Sequence, residues 1–348
     1  MELFQSNNLS LSHPEFVVID DPSLSETVAN LLYEHYSLDT SELQVARFQG
    51  ANIASQNFKV TTKNNRYFLK ARPASQKDQL AAETDVAAKL VAAGVRAPVV
   101  IQSVSAELLS TKADTAWALY EFVEGKYFKG TGNELESAAN TFGHLTRVAS
   151  EILRDDLRTD SNPDVFEELE DSLSDRAIAS NPDPTIADIC RINRDSIVAH
   201  LNEVRRHLPM RDLVALPVHL DYHPLNLLMR EERVECVLDL EHLKIYPAVS
   251  GVGFAAYKLI RQTMVDRKIR HAELSQPSMV KRWLDTWHSY FPTLPFTPLD
   301  LGLGASYRIL VLINLILSAQ KQGDCRFNYD LEKQIHSLHE INAIFRNA

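Results

Sequence analysis

The sequence predicts an α+β chain with a small lobe of antiparallel strands plus a helix, followed by a larger and mainly helical lobe. Three observations support this class. Short runs of β-forming residues between 43 and 71 are separated by turn-forming residues. A helical pattern from Gln79 to Ala93 then precedes two further strand-like runs. From Leu135 onward apolar residues recur at helical spacing, as in Ala138 and Phe142.

The composition sets the broad class of protein. Of the 348 residues, 24% are charged and 45% are hydrophobic. The hydrophobic fraction is large enough to build a core in each lobe. The formal net charge of -10 argues against binding to nucleic acid or to an anionic membrane, and it favours a cationic or amine-bearing ligand. The three cysteines are odd in number and far apart, so they predict neither a disulfide framework nor a metal cluster. The first 20 residues lack the features of a secretory signal, so we expect a cytoplasmic protein.

The elements of the small lobe have local signals. Asp21-Pro22 combines a helix cap with a proline in the first turn, and the predicted helix ends near Tyr36. Strand-like runs at 58–62 and 66–70 flank the turn-forming cluster Lys63-Asn64-Asn65, which predicts a hairpin. Gly94 stands where the cap of the second helix belongs. Further strands are predicted at 99–103 and 116–123.

The larger lobe is predicted to begin after a short connection. We assign residues 1–120 to the N-terminal lobe, 121–126 to a hinge and 127–348 to the C-terminal lobe. The most apolar stretch, 309–317, is too short to span a bilayer and contains Asn314, so we expect a core helix. Trp283 and Trp287, four apart on an amphipathic helix, are expected in the core.

The residues that can carry chemistry lie between 218 and 241. A polar loop from His219 to Asn226 follows a strand-like run and precedes a hairpin that ends at Asp239. Metal-dependent phosphoryl transfer needs a base at the acceptor hydroxyl and oxygen ligands that hold Mg²⁺ on the phosphates. Asp221 suits the first task, while Asn226 and Asp239 suit the second.

This pattern also carries a family resemblance. His219-x-Asp221-x4-Asn226, followed by Asp239-x-Glu241, resembles the catalytic loop and metal-binding motif of the aminoglycoside phosphotransferase, choline kinase and homoserine kinase group, relatives of the protein kinases. The resemblance covers residues 24 to 320 in order. It implies a bilobal protein-kinase-like fold and an ATP- and Mg²⁺-dependent kinase that phosphorylates a hydroxyl of a small molecule. ATP is then expected between the two lobes.

The resemblance implies roles for residues upstream of the loop. Lys70 resembles the strand lysine that contacts the α- and β-phosphates, and Glu83 resembles its ion-pair partner. Ser55 and Asn57 match the serine and asparagine of the loop that covers the phosphates, although a plain hairpin turn is the alternative there.

The resemblance also covers the hinge and the metal site. Residues 118–125 resemble the family's hinge, which implies that the Glu121 carbonyl and the Val123 amide bind adenine. His219 is expected to support the catalytic loop, in which Leu220 stands where the family commonly has glycine. Glu241 either binds a second Mg²⁺ or orients Asp239, and both roles stay open.

The acceptor is the least defined part of this prediction. Little room separates Glu241 from the helix predicted near Ser250, and no Ala-Pro-Glu motif occurs, which argues against the peptide-docking segment of protein kinases. A small acceptor is therefore expected: a choline-like amine, an aminoglycoside, an amino sugar, homoserine or a thiamine-like alcohol. The acidic run at 167–171 is either a solvated helix face or a contact for a cationic substrate. The alternative functions are an inactive kinase-fold binding or structural protein and, less favoured, a protein kinase.

Overall fold

The computed structural model describes residues 16–18, 21–48, 56–112, 114–159, 165–208, 213–266 and 277–346. They belong to two compact units. The first unit contains Met1–Tyr127 and Leu227–Glu241, and the second contains Phe128–Asn226 and His242–Ala348. The predicted boundaries, with a hinge at 121–126, stay a prediction.

The described residues form strands and helices in the following chain order. The first part of the chain contains β1 (Phe16–Val18), α1 (Pro22–Tyr36), β2 (Gln44–Phe48), β3 (Gln56–Thr61), β4 (Arg66–Pro73), α2 (Lys77–Ala92), β5 (Ser110–Lys112), β6 (Thr115–Glu121), β7 (Lys126–Tyr127), α3 (Glu134–Ile152), α4 (Val165–Ser172), α5 (Asp175–Ala179) and α6 (Pro184–His207). The second part contains β8 (Ala215–His219), β9 (Leu227–Arg230), β10 (Arg233–Val237), β11 (Leu243–Pro247), α7 (Ala248–Asp266), α8 (Pro277–Tyr290), α9 (Pro298–Lys321) and α10 (Leu331–Phe345).

The first unit is built on an antiparallel six-stranded sheet in the order β1-β2-β3-β4-β6-β5. Because side chains alternate along a strand, β4 presents Leu69 to one face and Lys70 to the other. Leu69 packs in an apolar cluster that includes Leu31 of α1. The opposite face, which also bears Phe68, packs against Leu80 of α2. A second sheet in this unit has the order β10-β9-β7.

The local signals for the two helices and the hairpin are confirmed. The Asp21 carboxylate accepts hydrogen bonds from the backbone amides of Ser23 (3.0 Å) and Leu24 (3.2 Å), which caps α1. β3 and β4 pair as a hairpin, and α2 is followed by Gly94 with a left-handed φ of 82°.

The strand predicted at 99–103 is wrong. Only a single bridge forms there, between Val100 and Tyr120 of β6. The edge of β6 that faces away from β4 is already paired with β5 further along, at Ser110–Lys112. Only a short stretch at the other end of that edge is left to pair with Val100 and its neighbours, which is too short for a full strand.

The second unit is mainly helical and contains a two-stranded antiparallel sheet of β8 and β11. Helices α7 and α9 cross in its core at two glycines. A Cβ at Gly253 would lie 2.2 Å from the Leu301 carbonyl oxygen, and one at Gly304 would lie 2.3 Å from the Val249 carbonyl oxygen. The two backbones therefore approach as closely as only glycine permits.

Helix α9 contains the most apolar stretch of the sequence. By length and composition it is the one helix in the described ranges that could cross a membrane, with a mean hydropathy of 1.7 over 18 residues, but 78% of that window is buried. The predicted core helix is thus confirmed. Trp283 and Trp287 of α8 are each 2% exposed and also lie in the core. The sheet of the first unit and the helices of the second confirm the α+β class.

Candidate functional site

The polar loop of the second unit begins where β8 ends. Val218 and His219 pair with β11, and the Leu220 amide extends this pairing by donating to the His242 carbonyl at 2.9 Å. Leu220 is buried and does not have a positive φ. The leucine at this family glycine position therefore fits the loop without backbone strain.

Hydrogen bonds within the loop fix the position of Asp221. The buried His219 ring accepts a hydrogen bond from the Asp221 amide at its Nδ1 (3.2 Å), which fits a supporting role. Asn226 Nδ2 donates to the Asp221 carbonyl at 2.8 Å and to Asp221 Oδ2 at 3.2 Å. Asn226 thus orients the carboxylate with its nitrogen. Its Oδ1 accepts no hydrogen bond from the residues that the structure describes.

His223 gives Asp221 a second side-chain donor. His223 Nδ1 accepts from the Leu225 amide at 3.1 Å, so the ring proton lies on Nε2, which is 3.3 Å from Asp221 Oδ2. Burial raises the pKa of Asp221. His223, His242 and His219 lower it by a larger amount, so the pKa lies well below its usual range. Asp221 is therefore ionised at neutral pH and can accept a hydrogen bond from a hydroxyl.

Lys258 is a charged residue that the sequence analysis did not single out. It lies on α7, which packs so closely on β8 that a Cβ at Gly251 would lie 2.6 Å from Val218 Cγ2. Lys258 follows Gly251 by seven residues, or two turns, and so lies on the same face of the helix. A single lysine in the apolar run 252–260 was the available signal.

The surroundings of Lys258 destabilise its protonated form. Burial, Lys333 and Arg261 lower the pKa of Lys258 to about 8, while the carboxylates of Asp221 and Glu340 oppose this shift. Its ammonium forms no ion pair with the described residues. Asp221 thus interacts electrostatically with a lysine whose pKa is about 8.

In the first unit, Lys70 and Glu83 form the ion pair that the resemblance implies. Lys70 Nζ lies 2.5 Å from Glu83 Oε1, and the side chains are 6% and 8% exposed. Burial lowers the pKa of Lys70, but the charges of Glu83, Glu241 and Asp239 outweigh it and raise the pKa above its usual value. Lys70 is therefore a permanent cation.

Asn57 lies beside Lys70. The two residues are directly opposite on β3 and β4, so their side chains point to the same face of the sheet. Asn57 Oδ1 is buried and has no hydrogen-bond partner within the described residues. Such an unsatisfied polar atom marks a position where a ligand can bind. Ser55, also predicted to bind the phosphates, lies outside the described residues.

Glu241 contacts two cations of β4. Its Oε2 lies 2.5 Å from Arg72 Nη2 and 3.5 Å from Lys70 Nζ. Arg72 was missed by the sequence analysis, although the spacing Lys70-x-Arg72 places both side chains on one face of a strand.

Asp239 has an unusual backbone conformation at the end of the same unit. Its φ is 54°, in the left-handed region, and its side chain is exposed. Together with burial, its charge raises the pKa of Tyr127 to about 12. Asp239 makes no hydrogen bond or ion pair to the residues described, so its carboxylate is available to a cation.

The predicted metal ligands fit Mg²⁺ by donor type. Asn226 offers an amide oxygen and Asp239 a carboxylate, the oxygen donors that hard cations prefer. No group of three or more His, Cys, Asp or Glu that could hold a metal occurs within the described ranges. Few protein ligands are expected for Mg²⁺ in a kinase, because waters and substrate phosphates complete its shell.

The residues predicted for adenine binding lie at the end of β6. Glu121 donates its amide to the Val99 carbonyl at 2.9 Å, and the Val123 amide makes no backbone hydrogen bond within the described residues. A Cβ at Gly125 would lie 3.0 Å from Leu228 Cβ, so this glycine lets β7 pack on β9. The roles of Glu121 and Val123 stay predictions.

Solved structures that align over most of this chain share its fold. A spectinomycin phosphotransferase solved with ADP and spectinomycin aligns over 93% of this chain and 98% of its own, with a TM-score of 0.67 and 15% identity. A choline kinase from Cryptosporidium parvum Iowa II aligns over 91% and 95%, with a TM-score of 0.56 and 14% identity. An amicoumacin kinase solved with AMP-PNP and Ca²⁺ aligns over 90% and 94%, with a TM-score of 0.58 and 12% identity. These confirm the predicted protein-kinase-like fold.

The family follows from the sequence itself. The model of the phosphotransferase enzyme family matches residues 46–283, more than half of the chain. The chain therefore belongs to the phosphotransferase enzyme family. The comparison with curated proteins finds no match. This membership confirms the predicted enzyme class, a phosphotransferase.

Proposed function

We propose that this chain is a kinase that transfers the γ-phosphoryl group of ATP, with Mg²⁺, to a hydroxyl of a small molecule. One observation carries the proposal. Asp221 is ionised and is oriented by Asn226 and His223, in the loop that follows β8. A fixed carboxylate of this kind suits a group that positions an attacking hydroxyl.

The first unit supplies the charges for the nucleotide. Lys70 stays protonated because Glu83 is its buried partner, so it offers a point cation to the phosphates. Asn57 lies opposite it on β3 and is proposed to donate its side-chain amide nitrogen to a phosphate oxygen, and Ser55 stays a prediction for the same role. The Glu121 carbonyl and Val123 amide are proposed to bind adenine.

Asn226 and Asp239 are proposed to hold the metal ion. Their oxygens are the atoms that local hydrogen bonds leave available, since Asn226 uses its nitrogen on Asp221. When bound, Mg²⁺ would neutralise part of the charge that builds on the phosphates.

The proposed reaction is a direct displacement. Asp221 accepts a hydrogen bond from the acceptor hydroxyl and takes its proton as the new oxygen–phosphorus bond forms. The bond from the γ-phosphorus to the bridging oxygen breaks, and ADP leaves with that electron pair. Because the low pKa makes Asp221 a weak base, we expect orientation of the hydroxyl to contribute more than early proton removal.

The acceptor is proposed to be a small alcohol. Of the structural relatives, one was solved with spectinomycin and another is a choline kinase, which supports amine-bearing alcohols as the first compounds to test. The positive charge of Lys258 acts on Asp221. We therefore expect any amine on the acceptor to lie away from α7.

A pool of small alcohols incubated with γ-labelled ATP and Mg²⁺ tests the proposal. We expect a new phosphate ester, identified by mass, that is lost in Asp221→Asn. Label that appears on generic proteins but on no small alcohol would favour a protein kinase instead. Mg²⁺-dependent ATP binding without any ester, across a broad panel, would favour a binding protein.

A further inference from the structure

Arg72 is a buried cation that the proposed chemistry does not use. It lies two residues after Lys70 on β4, on the same face of the sheet, and its side chain is 5% exposed. A buried guanidinium needs a charged partner, because an unpaired buried ion costs several kcal/mol. The identity of that partner therefore indicates what Arg72 holds in place.

The partner of Arg72 is Glu241. Arg72 Nη2 donates to Glu241 Oε2 at 2.5 Å, whereas Glu83 Oε2 is 3.8 Å away and beyond hydrogen-bond distance. The Arg72 Nε has no hydrogen-bond partner within the described part of the chain. Glu241 is thus the carboxylate that accepts the hydrogen bond of the Arg72 side chain, through Nη2.

The same contact controls the surroundings of Lys70. Lys70 lies between Glu83 at 2.5 Å and Glu241 at 3.5 Å, and Arg72 binds the Glu241 oxygen that faces it. With all four side chains ionised, their charges sum to zero while Arg72 is present. Without Arg72 they would carry a net negative charge, and Glu241 would compete with the nucleotide phosphates for Lys70.

We infer that Arg72 is a positioning residue that holds Glu241 as an ion-pair partner, so that this carboxylate neither binds the metal nor competes for Lys70. The inference rests on the proposed function. Of the two roles left open by the sequence, it selects the orientation of Asp239. Glu241 follows Asp239 by two residues, so its ion pair with Arg72 of β4 anchors the segment that bears Asp239. Glu241 as a metal ligand is the rejected alternative.

A double-mutant cycle with two binding measurements tests the inference. Calorimetry measures the affinity for AMP-PNP with Mg²⁺, and electron paramagnetic resonance measures Mn²⁺ bound per AMP-PNP. We expect R72M to weaken AMP-PNP binding about tenfold and E241Q about twofold, and R72M/E241Q to bind within about threefold of wild type because the competing charge is gone. E241Q should keep the wild-type Mn²⁺ stoichiometry, whereas D239N should lose Mn²⁺.

Two results would overturn the inference. One is a loss of Mn²⁺ in E241Q, which would make Glu241 a metal ligand. The other is a double variant that binds no better than R72M. If R72M does not fold, E241Q and R72K test the inference instead. R72K keeps the positive charge and should bind AMP-PNP within about threefold of wild type. A wild-type protein that binds AMP-PNP but makes no ester would contradict the proposed function. The double-mutant cycle would still test the positioning role of Arg72, because it measures binding and not turnover.

Discussion

Asp221 in the second unit and Glu83 in the first are both carboxylates to which the sequence assigns a function, but different partners hold them. Asp221 accepts hydrogen bonds from the amide of Asn226 and from the ring of His223. Glu83 is 2.5 Å from the ammonium of Lys70. The first carboxylate is held mainly by polar hydrogen bonds, and the second by a full opposite charge.

This difference separates activity from stability. Loss of one hydrogen bond in the loop costs about 1 kcal/mol and leaves the carboxylate partly solvated. Loss of a buried cation leaves an unpaired charge and costs about 3 kcal/mol. Substitutions in the loop should therefore change the rate with little effect on folding, whereas substitutions in the ion-pair cluster should change both.

Asp221→Asn should show the largest effect. The variant keeps the shape of the side chain but cannot take a proton, so we expect kcat to fall at least about a hundredfold while AMP-PNP still binds. Initial rates and calorimetry measure the two quantities. Asp188→Asn, at an exposed position on α6, is the control. Wild-type turnover in Asp221→Asn would remove it from the role of base.

Lys70→Met should affect both affinity and stability. Glu83 would be left buried without its partner, so we expect AMP-PNP to bind about thirtyfold more weakly and the free energy of unfolding to fall by about 3 kcal/mol. K70M/E83Q should regain most of the stability but not the affinity. Recovery of affinity in the double variant would show that Lys70 does not contact the nucleotide.

Lys258 tests the comparison with a cation that lacks an ion-pair partner in the described residues. Its pKa of about 8 lies below the unfolded value, so the unfolded chain binds more protons between pH 8 and 10.5. Stability contributed by this residue should rise with pH across that window. We expect wild type to gain about 2 kcal/mol relative to K258M between pH 7 and 10.5, by denaturant unfolding. A constant difference would contradict the shifted pKa.

His223→Leu should give the smallest effect. Asp221 would lose one donor but keep Asn226, so its pKa should rise towards the usual range and kcat should fall about threefold at neutral pH. The acid side of the pH–rate profile should move to higher pH. His207→Leu, at an exposed position near the end of α6, serves as the control. An unchanged acid limb would show that His223 does not set the charge of Asp221.

Features encoded by neighbouring residues were predictable from the sequence. The cap at Asp21 and the contacts of Asp221 with Asn226 depend on residues at most five positions apart. Arg72 and its partner Glu241 are 169 positions apart, and no local spacing predicts such a pair. Lys258 was missed for the same reason, because its electrostatic interaction with Asp221 depends on the packing of α7 on β8.

The close crossing of α7 and α9 has a consequence for how the chain is made. α9 begins at Pro298, so a ribosome completes it only after α7 has emerged, and until docking its apolar surface faces water. A bulky residue at Gly253 would keep the two backbones apart and prolong that exposure. Such a lesion should appear first as aggregation and chaperone dependence during synthesis, before any defect in the purified enzyme.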